Sequence, residues 1–161
     1  MRETFARFFK PILIIFLICY SPLSSLAIEK DALSDNLIFA AKKGLLEDAR
    51  SAISSGADIN KKRNDGATPL LIASLNGHTE IVKLFLESGA DVNLAVADGA
   101  TPLLIASVNG YTEIVKLLLE SGADINAGIQ NGQEIHTPLS LAKKESHSQI
   151  ITLLKDYGAK E

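Results

Sequence analysis

Residues 65–93 read DGATPLLIASLNGHTEIVKLFLESGADVN, and residues 98–126 read DGATPLLIASVNGYTEIVKLLLESGADIN. The two stretches start 33 residues apart and differ at four of 29 positions: Leu75/Val108, His78/Tyr111, Phe85/Leu118 and Val92/Ile125. Three of those exchanges keep an apolar side chain apolar, so the copy preserves whatever surface the original buries. Local signals within one copy divide it into two short helices. Thr68 is placed to cap a helix whose first turn holds Pro69, where a missing N–H costs nothing. Leu70, Ile72 and Ala73 face inward in that helix, and small Ala73 lets a neighbouring helix come close. Asn76-Gly77 ends it, glycine supplying the left-handed conformation. A second helix over about Thr79 to Ser88 buries Ile81, Val82, Leu84, Phe85 and Leu86, which is more than one stripe, as expected between two neighbours. Gly89 stops it, and Asp65-Gly66 is a hairpin signal before the next helix.

The same pattern continues on both sides in weakened form. Upstream, residues 28–34 form a lead-in, and residues 35–41 align with residues 68–74, which makes Asp35 the expected N-cap in place of Thr68. Asp48, Ala49 and Ser51 stand where the next unit has Ile81, Val82 and Leu84. A terminal unit needs such a wetter face because no neighbour covers it. Downstream, Thr137-Pro138-Leu139 restarts the helix 36 residues after Thr101, so three extra residues fall in 127–136 and predict a longer hairpin. Ser146 replaces the turn glycine, and Lys155 replaces Leu86 or Leu119. The units are 28–63 (N-terminal cap), 64–96, 97–129 and 130–161 (C-terminal cap). One unit cannot bury its own apolar face and at least three are required, so the count predicts a complete small solenoid.

A period of 33 residues with a T-P-L helix start resembles the ankyrin-repeat family. The resemblance implies an all-α solenoid of stacked helix–turn–helix units with hairpin loops. It further implies a monomer that binds another protein through its hairpin tips and the exposed face of each first helix. On matching positions, that face carries Lys42 and Lys43, then Leu75 and Asn76, then Val108 and Asn109, then Lys144. The middle layers are apolar with amides and the flanks charged, the anatomy of an interface with a polar rim. Repeats this alike present the same helix surface twice, so specificity is expected at the tips, which differ. Lys61, Lys62, Arg63 and Asn64 make a basic tip; Leu94 and Val96 lie in an apolar one; residues 127–136, with Gln130 and Gln133, form a long polar one. His78 and His147 occupy a position that is commonly histidine in the family, where it bonds loop backbone; Tyr111 stands there in the third unit. Leu71, Leu104 and Ser140 depart from the T-P-L-H pattern, so a side-chain bond to the loop is expected to be missing at those three sites.

Composition narrows the function further. Beyond residue 27 the chain carries 13 Lys/Arg against 18 Asp/Glu, a formal charge of −5. A phosphate backbone attracts the opposite balance, which argues against nucleic-acid binding. Cys19 is the only cysteine, so no disulfide framework exists. Residues 1–10 are basic, 11–20 (PILIIFLICY) apolar and 21–27 (SPLSSLA) small, the order of a secretory signal peptide with cleavage after Ala27. The alternative is an uncleaved anchor, although the apolar run has only about half of the roughly 20 residues that span a bilayer. Ile18 before Cys19 argues against lipid attachment, which wants a small residue there. The reading is an exported chain, periplasmic or secreted, with a membrane-anchored envelope scaffold as the alternative. No HExxH, GxSxG, phosphate-binding loop or CxxC pair occurs. Asp58, Asp91 and Asp124 recur once per unit, which places one carboxylate per layer and assembles no acid–base pair. No enzyme activity, cofactor or metal is expected. His136, beside the long hairpin, is expected to be solvated.

Overall fold

The structure, a computed structural model, describes residues 22–132 and 134–160. Its helices are α1 (Pro22–Lys43), α2 (Leu46–Ser54), α3 (Pro69–Leu75), α4 (Thr79–Glu87), α5 (Pro102–Val108), α6 (Thr112–Glu120), α7 (Pro138–Lys144) and α8 (Ser148–Asp156). A two-stranded ribbon, β1 (Ile129–Asn131) with β2 (Glu134–His136), precedes α7. The odd-numbered helices stack side by side, and the even-numbered ones stack behind them.

Each repeat starts by the same chemistry. Proline at the first helical position follows a threonine whose Oγ1 accepts a backbone N–H: Leu71 onto Thr68 at 3.3 Å, Leu104 onto Thr101 at 3.2 Å and Ser140 onto Thr137 at 3.2 Å. Ser140 adds a reciprocal bond, its Oγ accepting the Thr137 N–H at 2.9 Å. The bond expected to be missing at position 140 is therefore replaced by a local one that closes a capping box.

The first unit departs from the expectation. Asp35 is not an N-cap: α1 runs unbroken from Pro22 through Asp35 to Lys43, so the expected lead-in at 28–34 is helical. Asn36 stands where the other units have proline, and residues 26–34 (LAIEKDALS) contain neither glycine nor proline to stop a helix growing backward. The Ala27–Ile28 bond consequently lies inside α1. The basic and apolar parts of the expected signal segment, residues 1–20, lie outside the described residues.

The core forms where helix layers meet. Ala40, Ala73, Ala106 and Ala142 are all fully buried at one repeat position, where a small side chain lets successive first helices approach. Phe85 and Leu118 fill the equivalent space behind them, each fully buried. α4 buries Ile81, Val82, Leu84 and Phe85, whereas α2 buries only Ala49 and Ala52 and α8 only Ile150 and Leu154. The outer helices thus thin out at both ends, the pattern terminal units need.

Two bond systems run along the stack. The Asn60 Oδ1 accepts the Asp91 N–H at 2.9 Å, the Asn93 Oδ1 accepts the Asp124 N–H at 2.8 Å, and the Asn126 Oδ1 accepts the Lys160 N–H at 3.0 Å. Ser34 Oγ makes the first link by accepting the Asp58 N–H at 2.9 Å. The recurring aspartates bond locally, each Oδ1 accepting the N–H two residues on at 2.9–3.0 Å. The second system lies at the helix–helix turns. Gly44, Gly77 and Gly110 hold φ of +76°, +72° and +79°, and the rings of His78, Tyr111 and His147 lie directly over them. His78 Nε2 meets the Lys42 carbonyl at 3.3 Å, and His147 Nε2 meets the Val108 carbonyl at 3.1 Å. Both imidazoles therefore bond the last turn of the preceding unit's first helix. Ser146, at φ +60°, is the sole non-glycine residue at positive φ among the described residues.

Candidate protein-binding surface

The candidate residues fall into two rows. One row is the C-terminal ends of the first helices: Lys42 and Lys43 on α1, Leu75 and Asn76 at the end of α3, Val108 and Asn109 at the end of α5, and Lys144 on α7. Lysines at helix C-termini also complement the carbonyl end of the helix dipole. The other row is the hairpin tips, at the opposite ends of the same helices. A seven-residue helix sets the rows about 10 Å apart. Between them, Leu71 and Leu104 are buried and Ile105 is half-buried.

Within the helix-end row, Leu75 is 48% exposed, whereas Val108 at the same repeat position is half-buried. Asn76 and Asn109 turn their amides onto their own helices, each Nδ2 donating to the carbonyl four residues back, Ile72 at 2.7 Å and Ile105 at 2.8 Å. Lys42, Lys43 and Lys144 are exposed.

The tips differ from their sequence description in one respect: part of their chemistry is used inside the fold. Lys61 is held at 3.0 Å by the Asp31 carboxylate and at 3.3 Å by that of Asp35, both on α1. The hydrogen bond that Lys61 donates to the Asp31 carboxylate is the main cause of a Lys61 pKa raised above its ordinary 10.5, with Asp35 adding to it against some desolvation. Lys61 is thus a tie between the first tip and α1. Arg63 pairs with Asp65 at 3.3 Å on the surface, which leaves Lys62 and Asn64 exposed at the summit of that tip. Leu94 and Val96 are half-buried, because the tips stack: the Val96 backbone passes 3.4 Å from where a side chain on Gly66 would begin.

The third tip is the ribbon, with Ile129 opposite His136 and Asn131 opposite Glu134, and it absorbs the three extra residues as expected. Gln130 is exposed and its amide reaches the Gly132 carbonyl at 3.4 Å; Gln133 lies outside the described residues. His136 is half-buried and 4.0 Å from the Glu134 carboxylate. Ile135, 66% exposed, joins the surface although the repeat pattern does not single it out. Its signal lies in the polar–apolar alternation of Glu134-Ile135-His136. Among the described residues, no group of three or more His, Cys, Asp or Glu side chains is arranged to hold a metal ion. No helix among them is long and apolar enough to cross a membrane.

Residues 37–129, more than half of the chain, match the family described as ankyrin repeats (3 copies). The chain belongs to the ankyrin-repeat family. A comparison with curated proteins finds no match. Ankyrin repeats generally mediate protein–protein interaction, and ankyrin-repeat domains are typically non-catalytic. The two rows described above combine exposed apolar area with accessible charge.

Proposed function

We propose that this ankyrin-repeat chain acts after export as a non-enzymatic module that captures another protein, as an adaptor or an inhibitor. The observation that carries the reading is where the variation falls. Two central units almost identical through their helices support three tips of different chemistry: charged at Lys62, apolar at Leu94, and longer at the third, where polar Gln130 stands with exposed Ile135. A rigid frame that repeats itself while its tips diverge is suited to reading one partner at several points. Lys42, Lys43, Lys62 and Lys144 favour a partner face with acidic groups around an apolar centre that receives Leu75. Export is supported by the basic, apolar and small-residue order of residues 1–27.

The test is capture of a partner from an envelope extract with the native chain and with a Lys62→Glu/Leu75→Asp variant. Among the described residues Lys62 makes no hydrogen bond or ion pair, and Leu75 lies outside the buried core, so circular dichroism should be unchanged. Capture is expected to drop at least tenfold, the result of losing about 1.4 kcal/mol or more. Retention of the same partner at the same level by the variant would refute the assignment. The mass of the chain recovered from the producing cell tests processing separately.

A further inference from the structure

The two end faces of the stack differ in the sign of their charge. Residues exposed in a terminal unit at positions buried in interior units are those a further unit would cover. In the first unit these are Phe39, Asp48 and Ser51, at the positions of Ile72, Ile81 and Leu84. Phe39 is 55% exposed where Ile72 is 5%, and with Leu33, Asn36 and Ala52 the three line an open hollow of about 390 Å³. In the fourth unit they are Lys143 and Lys155, exposed at the positions of Ser107 and Leu119. Ile151, half-buried at the position of fully buried Val115, lies with them. Solvation of an end requires polar groups there, but it does not require a carboxylate at one end and two cations at the other.

We propose that copies of this chain associate head to tail, the fourth unit of one seating on the first unit of the next as a continuation of the same stack. The directions in which the helices face support this occupant. Leu84 shares a hollow with Leu46 and Arg50 on α2, so its position faces the preceding unit. A helix turns about 100° per residue, which puts the position two residues on about 160° away, facing the following unit. Ser51 is the backward-facing residue of α2 by that rule, and Lys155 the forward-facing residue of α8. Repeating the interior joint between two copies therefore brings Lys155 to Asp48 and Ser51, and α7 with Lys143 over Phe39. Opposite signs favour this pairing over two like ends, which would set Asp48 against Asp48 or Lys155 against Lys155. The contact is heterologous, so it propagates from copy to copy instead of closing as a pair. The hairpin tips lie outside it, and each added copy lengthens both rows of candidate binding residues.

Sedimentation velocity of the full chain from about 1 μM to 1 mM covers the affinities expected of a small specific contact. The average mass of the native chain is expected to rise with concentration and to pass that of a dimer. Asp48→Lys and Lys155→Glu each set like charges against each other at the joint, and each should weaken association by about tenfold or more. Mixing the two variants in equal amounts restores opposite signs at both kinds of joint, so the mixture should associate as the native chain does. Circular dichroism checks that each variant is folded. Phe39→Gln, which removes the exposed ring and keeps the charges, should also weaken association by about tenfold and serves if a reversal disturbs the fold. A native chain that stays monomeric across the range would overturn the proposal, as would a mixture no more associated than its components. Association that survives both reversals would overturn it in favour of a contact elsewhere in the chain. Sensitivity to Asp48→Lys with none to Lys155→Glu would overturn it in favour of two first units face to face.

Discussion

Alanine at Gly110 meets two penalties, whereas alanine at Gly89 meets one. Both glycines sit in the left-handed region, at φ +79° and +85°. Nothing lies within 4 Å of a side chain built on Gly89, but one on Gly110 would lie 2.8 Å from the His147 ring. The left-handed conformation costs an L-residue about 1–2 kcal/mol, and the stiffer unfolded chain returns about 0.4–1 kcal/mol. Gly89→Ala should therefore destabilise by about 0.5–1 kcal/mol. In Gly110→Ala the ring must also move, breaking the 3.1 Å bond to the Val108 carbonyl, which adds about 0.5–1.5 kcal/mol. The expected total is about 2 kcal/mol, a fall of roughly 1 M in the urea midpoint for a small protein. Urea titrations followed by far-UV circular dichroism measure both variants. Adding His147→Ala removes the obstruction, so Gly110→Ala should then cost no more than Gly89→Ala. Equal losses for the two single alanine variants would refute the view that these turns are tight because a ring from the next unit lies on them.

Ser146 holds the same turn without glycine, at φ +60°, so Ser146→Gly should raise stability by about 0.5–1 kcal/mol, read as a higher urea midpoint. Asn93→Ala leaves the Asp124 N–H to water and should cost about 0.5–1.5 kcal/mol, with amide hydrogen exchange at Asp124 speeding up first. The Lys61 tie has a defined pH sign. Its pKa is raised on folding, so its contribution is fully present below the ordinary lysine value of 10.5 and is lost as pH climbs through the higher folded value. Lys61→Met should therefore flatten the alkaline end of the stability profile, and an unchanged profile would count against the tie.

How much of the fold is legible in the sequence follows from how local each signal is. Thr68-Pro69 and Asn76-Gly77 act within a few residues, so the ends of α3, α5 and α7 can be placed from the residues alone. The three extra residues before Thr137 have one inexpensive place to go, a longer hairpin. The start of α1 is harder to read, because Asp35-Asn36 offers a cap but no proline, and the good helix formers before it win. Contacts between units are not visible either. Asn60, Asn93 and Asn126 recur openly, yet nothing near them shows that each side chain bonds the following unit. Lys61 looks like a surface cation until α1, some 30 residues earlier, is folded beside it. The split of the binding residues into two rows, and the partial burial of Leu94 and Val96, arise only when hairpins stack.

The asparagine spine sets a rule for how this chain can change length. Each asparagine rung reaches one unit forward and meets a backbone N–H at the same place in that unit, that of Asp91, Asp124 or Lys160, so these joints share one fitting. Adding or deleting a block of 33 residues cut at equivalent points would remake the same fittings on either side of the splice. A block of another length keeps the fitting only if the difference falls in a hairpin tip, as the three extra residues before Thr137 do while Asn126 still accepts the Lys160 N–H. Growth by whole units is therefore the inexpensive direction for this molecule, and near-identical neighbours are what a recent step of that kind would leave behind.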